Sequence, residues 1–109
     1  MSWLVRDEEV LSSLEVAQNF RARFKGLLGR RGIRGAIWIH PCRSVHTFGM
    51  RFSIDVAFLD ADQVVIRVLQ MRPNRLSRPY WKARSVVEAE AGTFASWELA
   101  VGDELEIRR

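Results

Sequence analysis

Ser53-Ile54-Asp55-Val56-Ala57-Phe58-Leu59-Asp60-Ala61-Asp62-Gln63-Val64-Val65-Ile66-Arg67-Val68-Leu69-Gln70-Met71 contains two strands and the turn between them. Ile54, Val56 and Phe58 fall on one side of an extended chain and Asp55, Ala57 and Leu59 on the other, which is the two-residue period of a strand. Asp60-Ala61-Asp62-Gln63 has turn chemistry, because an Asp side chain hydrogen-bonds backbone just ahead of it. Residues 64–71 return to β-branched and apolar types. The two runs read as an antiparallel hairpin at the centre of a sheet.

Outward from this hairpin the chain offers more strands than helices. Residues 36–40 form a strand that opens after Gly35 and closes at Pro41, which has no amide to donate. Residues 3–6 and 10–16 read as a further hairpin, and 85–90 and 103–108 as two later strands, with a short helical candidate over 94–99 between them. The main helix is expected from Asn19, where Phe20, Phe24, Leu27 and Leu28 recur at helical spacing before Gly29. Residues 72–84 have no regular pattern and carry Pro73, Pro79, Tyr80 and Trp81; irregular stretches of this length often serve function. The sum is an α+β domain, mainly antiparallel β, whose sheet curls into a small barrel-like form packed with one main helix.

At 109 residues and 48% hydrophobic composition the chain is sized for one domain, 1–109, with one core. The opening residues carry Asp7, Glu8 and Glu9 in place of a basic leader and apolar run, so neither a signal peptide nor membrane insertion is expected. A single cysteine, Cys42, excludes an internal disulfide and fits the cytoplasm. The net charge of +4 conceals segregation: residues 16–54 hold eight basic groups and no acid, and residues 63–87 hold six and no acid. Folded together, these blocks would make a surface attractive to anions; interleaved with the acidic segments, they would be cancelled.

Three motifs occur in order along most of the chain: Gly26-Leu27-Leu28-Gly29-Arg30, then His46-Thr47-Phe48-Gly49-Met50-Arg51-Phe52-Ser53 leading into Ile54-Asp55-Val56-Ala57-Phe58-Leu59-Asp60, then Val86-Val87-Glu88-Ala89 with Gly92 and Gly102-Asp103. Together they resemble the domain-of-unknown-function 192 family, whose specific signature is the central motif. Leu28 stands where the family often has Met, and Ser53 where it often has Pro. The resemblance implies a compact β-rich fold and supplies no catalytic residues.

Several residues could carry chemistry. His40, Cys42 and His46 are competent metal ligands within seven positions, but a zinc site would need Asp55 or Asp60 to complete it, and packed histidines beside a buried thiol are the simpler expectation. No metal or cofactor is expected. Cys42 and His46 could act as nucleophile and base, with Asp55 in support and the amides of Thr47-Phe48-Gly49 as oxyanion donors. Asp55, inside an apolar strand, must meet a cation or donated amides, and the expected partner is the 46–50 loop or an arginine. Alternatively Asp55, His46 and Met50 line a pocket. Tyr80 and Trp81, flanked by Arg78 and Lys82, suit stacking of bases beside a backbone groove.

These readings favour a noncatalytic accessory or small-ligand-binding domain with a site around residues 46–55, built from Cys42, His46, Thr47, Met50 and Asp55 with Tyr80 and Trp81 nearby. The alternatives are a cationic module for single-stranded nucleic acid using Arg21, Arg23, Lys25, Arg78 and Lys82, and a small hydrolase or metal-dependent enzyme using Cys42, His46 and Asp55.

Overall fold

The computed structural model describes residues 1–17 and 32–109. Its strands are β1 (Ser2–Arg6), β2 (Glu9–Ala17), β3 (Ala36–Ile39), β4 (Ile54–Leu59), β5 (Val65–Met71), β6 (Ser85–Glu90) and β7 (Glu106–Arg108), with one short helix at Thr93–Ser96. They form a sheet in the order β5-β4-β6-β3-β2-β1-β7. Every ladder is antiparallel except β2 with β3, which is parallel. The helix expected from Asn19 lies outside the described residues.

Turn chemistry sets both hairpins. Between β1 and β2 the chain reverses on Asp7 and Glu8, whose φ values of 51° and 67° give the left-handed pair that suits strand twist. Between β4 and β5, Asp60 Oδ1 accepts the amides of Asp62 at 2.9 Å and Val64 at 3.0 Å, so the turn is held by its own first side chain. Strand β7 begins later than the expected residue 103. There the Asp103 carboxylate accepts the Ala100 amide and pairs with Arg6, which keeps that residue in a turn.

The alternation along β4 divides the core. Ile54, Val56 and Phe58 join Ile37, Ile39 and Val86 in one buried cluster, which Cys42, Val45, Met50 and Ala83 close from the loops. Ala57 and Leu59 face the other way, with Leu4, Leu14, Trp38, Val87 and Leu105, under Phe94 of the short helix. Burying a large aliphatic or aromatic side chain contributes roughly 1.5–3 kcal/mol, so both clusters stabilise the sheet from opposite faces.

The sheet is not closed into a barrel, contrary to the curled form expected from the sequence. Its edges approach at one end, where Val64 bridges Glu104 and the Val65 amide donates to Asp103 O at 2.8 Å. β7 has only three residues and spends them on β1, so the ladder stops there and the rest of β5 remains an edge. The β4–β5 hairpin, expected at the centre of the sheet, forms one end of it, because β4 pairs onward with β6 while β5 has no second partner strand among the described residues. Among the described residues no helix is long and apolar enough to cross a membrane.

Candidate binding surface

Two long connections, 40–53 and 72–84, run between strand ends and lie side by side. The Ser77 amide donates to Val45 O at 2.8 Å, Thr47 N to Arg75 O at 2.9 Å, Asn74 N to Thr47 O at 2.9 Å and Tyr80 N to Arg43 O at 2.9 Å. Side chains complete the seam. The fully buried Thr47 hydroxyl donates to Arg72 O at 2.6 Å and accepts the Arg75 amide at 2.9 Å, Ser77 Oγ accepts from Val45 N, and Asn74 Oδ1 accepts from Gly49 N. The seam is a second layer over the first core cluster. Val45, Cys42, Met50 and Ala83 point inward, and Tyr80 packs on Phe58 with ring centroids 4.5 Å apart.

The outer side of this layer is basic and partly apolar. Arg43, Arg72, Arg75, Arg78 and Lys82 are exposed, as are Phe48 (47%), Leu76 (67%) and Trp81 (73%). His46 stacks on Phe48 at 5.0 Å and accepts its amide on Nδ1, and the Arg78 guanidinium lies 5.7 Å from the Tyr80 ring centre. The two acid-free blocks therefore meet through residues 43–51 and 72–84. Acidic groups collect elsewhere: Asp7, Glu8, Asp62, Glu104 and Glu106 line one cavity of about 320 Å³ at the β1–β2 turn. The cations at that end are already engaged, Arg6 with Asp103 and Arg108 with Glu8 and Glu106.

The residues singled out from the sequence separate into two groups. Cys42, His46, Thr47, Arg78, Tyr80, Trp81 and Lys82 all belong to the paired layer, with Met50 buried beneath it. Cys42 is buried in that same core, its Sγ donating to Ser44 O at 3.1 Å. Asp55 is on the opposite face. Its Oδ2 accepts the amides of Gly92 at 2.9 Å and Phe94 at 3.0 Å, and Oδ1 accepts from Gln70 Nε2 at 3.2 Å. The expected anchoring of the 46–50 loop by Asp55 is corrected accordingly: β4 alternation turns the carboxylate toward the short helix, whose first turn has free amides to offer. Arg21, Arg23 and Lys25 lie outside the described residues.

The metal-ligand candidates diverge. His40 stacks on Trp38 at 5.3 Å, on the side of the second cluster, while Cys42 packs in the first. Among the described residues no group of three or more His, Cys, Asp and Glu side chains is placed to hold a metal. Sequence reasoning also passed over Glu88, which is fully buried in β6 opposite Ile37 and Val56 and is not without a partner. Its signal was a carboxylate between Val87 and Ala89 in an apolar strand, the pattern that drew attention to Asp55.

Comparison with known proteins agrees with this architecture. The model of the DUF192 family, "Uncharacterized ACR", matches residues 3–107. A UPF0127 protein of Pyrococcus furiosus is 32% identical, covering 97% of this chain and 96% of its own length. One from Pyrococcus abyssi is 35% identical over 85% of this chain and 84% of its own. Among solved structures, a protein of unknown function from Novosphingobium aromaticivorans superposes with a TM-score of 0.78 at 17% identity, over 96% of this chain and 82% of that one. A candidate transcription regulator from Sinorhizobium meliloti gives 0.75 at 22%, over 96% and 90%. At such identities these two structures speak for the fold alone.

Proposed function

We propose, for a chain that belongs to the domain-of-unknown-function 192 family, a noncatalytic binding role in which the outer side of the paired loops takes a single-stranded nucleic acid. The observation that carries this reading is the hydrogen-bonded union of the two acid-free segments, which concentrates Arg43, Arg72, Arg75, Arg78 and Lys82 on one surface. Among the described residues none of these five pairs with an acid. Cations in such a patch displace counterions from a phosphate backbone, and an exposed ring beside them accepts a stacked base. Trp81 is that ring. Tyr80, expected to share the role, is committed to Phe58 and acts as the strut that holds Trp81 outward.

A small-ligand pocket spanning residues 46–55 has less support, because Asp55 and His46 face different sides of the sheet. The same separation weakens a hydrolase built on Cys42, His46 and Asp55. A cytoplasmic setting, proposed from the lone cysteine, suits a nucleic-acid ligand. The test is an amide NMR titration with a mixed-sequence single-stranded RNA at low and physiological salt. Shifts should cluster on 43–51 and 72–82 and weaken with salt, and the double charge reversal Arg75→Glu, Arg78→Glu should abolish them. An unchanged spectrum at low salt would end this reading.

A further inference from the structure

A second cavity, of about 320 Å³, opens where β3 ends, between the β4–β5 turn and the start of β6; Trp38, His40, Asp60, Gln63 and Arg84 line it. This volume is at the lower end of small-molecule sites, too small for a dinucleotide. Trp38 forms a wall of it, and the half-buried Asp60 and exposed Arg84 supply its charges. Trp38 is nine-tenths buried, and its Nε1, closed off from solvent, finds no acceptor among the described residues. Asp60 uses Oδ1 for both turn amides, leaving Oδ2 without a described partner. Arg84 donates through Nη1 to Trp81 O and Ala83 O, each at 3.2 Å, and leaves Nε and Nη2 without described acceptors.

Asp60 and Arg84 line the same cavity but make no ion pair with each other. A carboxylate and a guanidinium held apart across a small space call for a ligand carrying both opposite charges. We infer that the cavity binds a small zwitterion of the α-amino-acid class, its carboxylate on Arg84 and its ammonium on Asp60 Oδ2. Stacking on Trp38 is not the mode of recognition. One face of the indole is taken by His40 at 5.3 Å and the Arg109 guanidinium lies 5.9 Å from its ring centre, so the residue walls the cavity without offering a free face.

This inference is independent of the nucleic-acid surface, which uses neither Asp60 nor Arg84. The test follows the indole ¹H–¹⁵N resonance of Trp38, assigned through Trp38→Phe, while the standard amino acids are titrated first as a mixture and then singly. Acetate and methylammonium serve as the two halves of the ligand. At least one amino acid should shift the resonance, and Asp60→Asn and Arg84→Gln should each weaken it about tenfold or more, the loss expected for one charged hydrogen bond. The side-chain amide introduced by Asp60→Asn keeps an Oδ1 acceptor, so the turn survives that substitution. Acetate binding as tightly as the amino acid would reduce the cavity to an anion site and overturn the inference. So would an Asp60→Asn variant with undiminished affinity, or no shift up to about 10 mM, beyond the weak end of specific binding.

Discussion

Asp55 shows how one carboxylate can organise an element it does not belong to. The helix Thr93–Ser96 is too short to stand by itself, and Gly92 at its N-terminus has no side chain to cap it. Oδ2 of Asp55 reaches across from β4 and takes the Gly92 and Phe94 amides, which seats Phe94 over the second cluster. Asp55→Ala leaves two amides unmatched and should cost about 2–4 kcal/mol, since a hydrogen bond to a charged group contributes about 1.5–3 kcal/mol. Asp55→Asn, which retains an acceptor, should cost less than half of that. Urea denaturation of the two variants decides it, and equal losses would mean that the charge rather than the acceptor matters. That Asp55 needs donors was legible in the sequence, because an unpaired carboxylate does not survive between Ile54 and Val56. Which donors it finds was not, because Gly92 and Phe94 are distant in the chain and reach it only through the β4–β6 pairing.

At the level of elements, strand periods and turn residues carried the sheet, and every strand expected from the sequence is present to within a few residues. The 72–84 segment was legible only as irregular. Its partner, 40–53, looked like a set of possible catalytic residues, whereas its main feature is a seam built from backbone groups, to which side-chain identity is a weak guide. Thr47 is the exception. Its hydroxyl joins both sides of the seam, so Thr47→Val, nearly the same shape, should cost about 1–3 kcal/mol through an unpaired buried donor and acceptor. The loss should be local: hydrogen exchange should quicken at Thr47, Asn74, Arg75 and Ser77 and change little in β4 and β6. Uniform acceleration would show that the layer and the sheet open as one unit.

Across the whole molecule, the net charge of +4 is a poor description of the field. One end gathers Asp7, Glu8, Asp62, Glu104 and Glu106, and the paired layer presents five cations that are free of acids among the described residues. The alternative of mutual cancellation, which composition alone favoured, depended on where the turns bring the blocks. If all five cations contact phosphates of a single strand, the logarithm of affinity should fall with the logarithm of salt at a slope near −3.5, about −0.7 for each contact. Fluorescence anisotropy across a salt series measures this slope, and replacing Arg75 by Gln should make it shallower by roughly one contact's worth. A slope near zero would point to stacking alone.

The parallel pairing of β2 with β3 bears on the time course of assembly. β1–β2 and β4–β5 are local hairpins that close with short turns, in microseconds for an isolated hairpin. β3 has no such neighbour: residues 18–35 separate it from β2 and 40–84 from β6, the two strands it joins. Long closures of this kind are slow because their entropy is lost before any contact forms. β3 is thus the keystone by which two quickly made halves become one sheet, and its arrival should set the rate. In stopped-flow experiments Ile37→Val should slow refolding and leave unfolding nearly unchanged, while the opposite pattern would place the docking of β3 after the barrier.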